Sequence, residues 1–149
     1  MNRTYCIALV GNPNCGKTTL FNALTGSRQR VGNWPGVTVE KKTGQFVHGD
    51  QEFQLVDLPG TYSLHVGADE TSIDEQIAQK FIFSGNADLV LNIVDASSLE
   101  RNLYLTTQLL DASLPMVVAL NMMDVAHQKG IHIDPYELSN RLGCPVVPI

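Results

Sequence analysis

The stretch from Ala8 to Leu20 constrains this chain more than any other. It contains Gly11-x-x-x-x-Gly16-Lys17-Thr18, the spacing of a phosphate-binding loop. The strand formers Tyr5 to Val10 lead into it, and a helix-like segment, Lys17 to Leu24, leads out. That strand–loop–helix setting is what such a loop requires. Gly11 and Gly16 let the backbone curl round an anion without Cβ clashes. Gly11, Asn12, Pro13, Asn14, Cys15, Gly16, Lys17, Thr18 and Thr19 would form the nucleotide-binding loop and helix start, whose backbone N–H groups (Pro13 has none) turn toward phosphate oxygens. Lys17 would reach the terminal phosphates, and the Thr18 hydroxyl would ligate Mg²⁺.

The remaining chain alternates strand and helix patterns. Arg3 to Val10 is almost continuously apolar and reads as a buried central strand. The first helix stops at Gly26. Ser27 to Gly36 has no usable periodicity and reads as a long mobile loop, with Trp34 exposed on it. Val37 to Val47 and Glu52 to Leu58 read as a hairpin turning at Gly49-Asp50. Thr61 to Glu70 is irregular. Ser72-Ile73-Asp74-Glu75 then opens a helix with a capping box, and the helix ends near Gly85. Ala87 to Val94 is a strand, and Ser98 to Ala112 is an amphipathic helix burying Leu99, Leu103, Leu109 and Leu110. Met116 to Leu120 is another strand, and Asn121 to Gly130 a loop with a short helix. Asp134-Pro135-x-Glu137 caps a last helix closed by Gly143, and Pro145 to Ile149 begins a final strand. The alternation predicts an α/β domain: a mostly parallel sheet, one antiparallel edge strand, and helices on both faces.

Open sheets of this kind bind ligands at the carboxyl ends of their strands. Three more motif sites fall there. Thr38 follows the long loop, and its hydroxyl could complete Mg²⁺ coordination once a γ-phosphate holds that loop. Asp57-x-x-Gly60 ends a strand; the carboxylate suits Mg²⁺ through water, and the Gly60 N–H suits the γ-phosphate. Asn121-Met122-Met123-Asp124 follows a strand in turn. A carboxylate at Asp124 can accept from both N1–H and the 2-amino group of guanine, donors that adenine lacks. Asn121 would brace the loops around the base.

Composition narrows the alternatives. The chain has 149 residues, 44% hydrophobic and 17% charged, with a net charge of −5. An acidic domain is a poor general binder of nucleic acid. Three cysteines at unrelated spacings fit reduced thiols in a cytoplasmic setting. No apolar run approaches the roughly 20 residues of a membrane span. His48, His65, His127 and His132 form no metal-ligand spacing, and Cys15 reads as packing. Asp69, Glu70, Asp74 and Glu75 read as a solvated face at a helix start.

The ordered set Gly11…Lys17-Thr18, Thr38, Asp57…Gly60 and Asn121…Asp124 resembles a GTPase of the translation-factor-related class. The longer strings 11–22, 30–40, 57–64 and 95–105 resemble the amino-terminal G domain of the FeoB ferrous iron transport family, across essentially the whole chain. The resemblance implies a Ras-like P-loop fold and Mg²⁺-dependent GTP hydrolysis that regulates Fe²⁺ uptake. It implies a place on the cytoplasmic face of a bacterial inner membrane, with this piece soluble. It also implies a helical regulatory domain and a transmembrane domain as partners in the same full-length protein. Residues 1–149 would then be a G domain cut just before its last guanine-contacting loop. Homo-oligomerisation stays open.

Two departures from the general pattern matter. Thr61 stands where small signalling GTPases carry a water-orienting glutamine. In the family the asparagine matching Asn14 helps hold K⁺ near the β/γ-phosphates, and that cation could stabilise charge as an arginine finger does. Met122 replaces a common lysine, which predicts weaker, faster-exchanging nucleotide binding. Two other readings remain: a nucleotide sensor in which hydrolysis only resets binding, and a ribosome- or tRNA-associated GTPase. The acidic charge counts against the latter.

Overall fold

The computed structural model describes residues 3–64 and 72–149. Seven strands form one sheet in the order β2-β3-β4-β1-β5-β6-β7. They are β1 (Tyr5–Gly11), β2 (Gln29–Asn33), β3 (Glu40–His48), β4 (Gln51–Asp57), β5 (Leu89–Asp95), β6 (Met116–Asn121) and β7 (Val146–Pro148). The helices are α1 (Lys17–Thr25), α2 (Ile73–Phe83), α3 (Leu99–Asp111), α4 (Met123–Gln128) and α5 (Pro135–Leu142). Strand β1 lies between β4 and β5 and is parallel to both. Strands β5, β6 and β7 continue the parallel order. Only β3 runs against the rest, pairing antiparallel with both β2 and β4.

Strand alternation divides the core between the two faces. Ile7 and Leu9 pack with Phe21 of α1, Leu55 and Ile93 on one side. Ala8 and Val10 pack on the other with Ala78 and Ile82 of α2 and Leu105 and Leu109 of α3. Ala8, Leu9 and Val10 are wholly buried, so β1 is covered on both faces. Its near-continuous apolar sequence is the direct result.

The local punctuation acts as its chemistry dictates. The Ser72 hydroxyl accepts from the Glu75 N–H and caps α2. The Asp134 carboxylate accepts from the N–H groups of Tyr136 and Glu137, with Pro135 opening α5. Gly49-Asp50 makes the two-residue turn that pairs His48 with Gln51. Helix α3 buries differently from the apolar pattern. Leu105 and Leu109 are buried with Asn102 and Thr106, while Leu99, Leu103 and Leu110 are half-buried. The polar pair is inward because β5 offers partners: Thr106 donates to Asn92 Oδ1 at 2.6 Å, and the Asp95 N–H donates to Asn102 Oδ1 at 3.1 Å.

The largest correction concerns Ser27 to Gly36, which is not a structureless loop. Gln29–Asn33 forms β2, in register from Gln29 opposite Gly44 to Asn33 opposite Glu40. An exposed edge strand with a glycine in it has no alternation to betray it; backbone pairing with β3 alone makes it. Strand β3 correspondingly begins at Glu40 rather than Val37, and the Trp34 N–H donates to the Val39 carbonyl across the connection. The single antiparallel strand therefore sits one place in from the edge. Of the irregular stretch Thr61–Glu70, residues 65–70 lie outside the described residues, as do His65 and the pair Asp69–Glu70.

Trp34, expected on the surface, is only 6% exposed. Its ring meets the Phe81 ring edge-on at 5.7 Å, and the Lys41 ammonium lies 4.7 Å from its centroid. Its Nε1–H is buried without a partner. Leaving that donor unpaired costs about 1–3 kcal/mol. Burying an indole contributes more, since truncating one to alanine costs about 3–5 kcal/mol, so the docked position wins. Because Trp34 is the only tryptophan, ligand-free protein should show blue-shifted emission and weak acrylamide quenching. Phe81→Ala should shift the emission to the red. An emission maximum like that of free tryptophan in water would contradict the docked ring.

Candidate functional site: a phosphate-loop cavity

Between β1 and α1 the chain makes its tightest excursion. Asn14 takes a left-handed conformation at φ 65°, and Gly16 follows at φ 99°. Gly16 is obligatory for a second reason: a Cβ there would lie 2.2 Å from Asn121 Nδ2. That amide donates to the Cys15 carbonyl at 3.1 Å. The end of β6 is thereby fastened to the loop after β1.

The segment after β4 is interlocked with the same loop. The Thr61 N–H donates to the Gly11 carbonyl at 3.1 Å. A Cβ on Gly60 would meet Pro13 Cα at 3.1 Å, tighter than ordinary contact. Lys17 Nζ is paired with Asp57 Oδ1. Their side chains are 13% and 12% exposed, so much of the water that would screen them is gone.

These stretches enclose a cavity of about 570 Å³, a size suited to a small organic ligand. Asn14, Lys17, Thr18, Gly60 and Met122 line it, with Asp74 from α2. Asn12, Pro13, Gly16 and Thr19 also reach it. Thr18 and Thr19 present exposed side chains. Among the described residues the Asn14 side chain has no hydrogen-bond partner. Met122, left-handed at φ 63°, precedes α4, whose first turn carries Asp124 exposed to solvent.

Thr38 is not brought in. It is exposed in the connection between β2 and β3 and contributes nothing to the cavity wall. The pairing of Asn33 with Glu40 and the buried Trp34 hold that connection against α2 instead.

The site also rests on residues that no motif marks. Asn92 Nδ2 donates to the Val10 carbonyl at 3.2 Å, just before the loop, while its Oδ1 receives Thr106. Asn12 is 4% exposed, and among the described residues neither Nδ2 nor Oδ1 has a partner. A polar residue inside an apolar strand was the available signal for Asn92; nothing in sequence signalled that the Asn12 side chain turns inward. His127 and His132, five residues apart, meet edge-on at 5.7 Å.

Cys15 packs inward among Leu9, Phe21 and Ile93. Burial pushes its thiol above the ordinary value, with Lys17 pulling partly the other way. A raised thiol pKa favours the neutral, unreactive form, so this contribution to stability is present below the unfolded-state value and is lost as pH rises through it and then the folded one. Alkylation of native protein at pH 8, mapped by mass spectrometry, should therefore label the half-buried Cys6 and Cys144 before Cys15. Cys15 reacting first would contradict its inward packing.

The comparisons with known proteins bear on the whole chain. The family described as Ferrous iron transport protein B matches residues 5–149. The Fe(2+) transporter FeoB of Salmonella typhimurium is 64% identical over 143 residues, covering 96% of this chain and 18% of that protein. The chain thus spans under a fifth of that relative's length. The structure of the cytosolic domain of L. pneumophila FeoB matches with a TM-score of 0.93 at 57% identity, covering 97% of this chain and 62% of that one. The cytosolic domain of T. maritima FeoB in GDP form I matches at 0.89 and 47% identity, covering 99% and 56%. With its phosphate-loop architecture and a match over residues 5–149, the chain belongs to the ferrous iron transport protein B family.

Proposed function

We propose that this chain is a GTP-binding and GTP-hydrolysing switch domain that regulates ferrous iron uptake by a larger membrane protein. The observation that carries the proposal is convergence: the loop after β1, Gly60 after β4 and Met122 after β6 line one cavity. The relative from T. maritima crystallised in a GDP form supports a guanine nucleotide there.

In this reading the Lys17–Asp57 pair is a placeholder. An incoming phosphate takes over Lys17, and Asp57 is released toward a cation, so each charge exchanges one partner for another of the same sign. That exchange avoids leaving either charge buried and alone, which would cost about 3–5 kcal/mol. The donor set fits Mg²⁺: the Thr18 hydroxyl and Asp57 carboxylate are hard oxygen ligands within the same site. Thr38 completes the set only after its connection leaves α2. Mg²⁺ bound there would neutralise charge on the β- and γ-phosphates. The Gly60 N–H would turn to bond the γ-phosphate, and the loop N–H groups of residues 12–19 would hold the rest. Asp124 reads guanine, Asn121 braces the loop, and the Met122 stem lies against the base. Asn14, unpartnered at the cavity wall, takes the K⁺ role. The helical regulatory and transmembrane parts of the full-length protein receive the switch, which places this domain on the cytoplasmic face.

Two measurements test these assignments. Asp124→Asn should lose GTP affinity by at least about tenfold, the scale expected for losing a hydrogen bond to a charged group, and gain affinity for xanthosine triphosphate. Unchanged GTP preference would contradict the base assignment. GTP turnover should be faster in KCl than in NaCl, and Asn14→Ala should abolish the difference. Equal rates in the two salts for the unmodified chain would remove the cation role.

A further inference from the structure

Asn12 is the residue whose burial has no account in the site as described. It is 4% exposed, and both polar atoms of its amide are shut away from solvent with no partner among the described residues. Folded proteins hold few such groups. Its backbone carbonyl is in use, receiving the Cys15 N–H at 3.3 Å, so only the side chain is idle.

The residues on either side of it touch one segment. The residue before it, Gly11, accepts the Thr61 N–H, and the residue after it, Pro13, is packed against Gly60. Asn12 is thus framed by the start of the segment that follows Asp57-x-x-Gly60. That segment satisfies itself in the present arrangement. The Thr61 hydroxyl donates to the Ser63 carbonyl at 2.8 Å and lies 3.4 Å from the Ser63 N–H. Tyr62 carries the Arg101 guanidinium 4.3 Å above its ring. A polar cavity of about 200 Å³, lined by Asn12, Asn14, Tyr62, Asp95, Arg101 and Asn102, lies beside the turn and leaves it room to move.

We propose that Asn12 is a positioning residue that holds the Thr61–Ser63 turn in its triphosphate-bound arrangement through hydrogen bonds from its side-chain amide. The proposal rests on the GTPase reading above. Turning the Gly60 N–H toward a γ-phosphate rotates the adjoining peptide, and the Thr61 N–H then leaves the Gly11 carbonyl. The freed donor and the carbonyls of the turn then need new partners, and Asn12 and Tyr62 line one polar cavity. Asn12 offers one acceptor and one donor at that place, and gains in return the partners it lacks here. Thr61 has no side-chain amide of its own, so the turn depends on the loop beneath it for this support.

The test compares the unmodified chain with Asn12→Ala and Asn12→Asp, measuring affinity for GDP, affinity for a non-hydrolysable GTP analogue, and single-turnover GTP hydrolysis. Asn12→Ala should lose about tenfold more affinity for the triphosphate analogue than for GDP, a gap of about 1.4 kcal/mol, and its hydrolysis rate should fall at least as far. Asn12→Asp, which keeps the acceptor, should recover part of both. Equal losses for the two nucleotides would make Asn12 a structural part of the loop and overturn the proposal, as would no loss for either. A second measurement needs no variant: the Asn12 side-chain amide protons of the unmodified chain should move downfield when the GTP analogue replaces GDP. Identical shifts in both complexes would also overturn it. An unmodified chain that binds neither nucleotide would remove the GTPase reading itself, an outcome distinct from either result with Asn12.

Discussion

Lys17 and Asp57 carry opposite charges into a place where little water is left to solvate either. One stands at the start of α1 and the other at the end of β4, so their pairing spans the two segments that wrap the cavity. Removing either partner leaves the other buried without a counter-charge, which is far costlier than losing a surface ion pair worth about 0–1 kcal/mol. The pair therefore gives the Lys17 ammonium at the cavity wall a counter-charge within the fold. Under the proposed function, ligand and cation enter by replacing the two halves of this contact.

The loop that carries Lys17 is held from outside as well. Asn121 fixes the Cys15 carbonyl, Thr61 fixes the Gly11 carbonyl, and Asn92 fixes the Val10 carbonyl. Each fastener comes from a different neighbouring strand or the segment after it. The left-handed Asn14 carries backbone strain that Gly16, lacking a Cβ, does not, and these bonds over-determine the geometry enough to keep it. Cys15 adds an apolar anchor beneath, since its side chain belongs to the core with Phe21 and Ile93.

The β2–β3 connection stands in a different relation to the cavity. Backbone pairing through Asn33 and Glu40, the Trp34 contact with Phe81 and the Lys41 cation over the indole keep it on α2. Thr38 is carried along with it, away from the cavity wall. In the proposed cycle, binding energy from phosphate and metal must exceed what this docking contributes before Thr38 can arrive. The unpaired indole N–H lowers the stability of the docked arrangement and so lowers that threshold.

Much of the architecture was legible because it is locally encoded. Continuous apolar character marked β1 and β5, Ser72 and Asp134 marked helix starts, and Gly49-Asp50 marked a hairpin, each by chemistry confined to a few neighbouring residues. The motif spacing likewise brought Asn12 to Asn14, Gly16 to Thr19, Gly60 and Met122 to one cavity, because parallel strands deliver their carboxyl ends to the same edge. What tertiary structure alone decided were the features made by distant partners. β2 exists because β3 offers it backbone groups, Trp34 is buried because Phe81 and Lys41 receive it, and Thr106 turns inward because Asn92 meets it. The idle amide of Asn12 belongs here too: local sequence sets a side chain's chemistry, but only the packing around it decides whether that chemistry finds a partner.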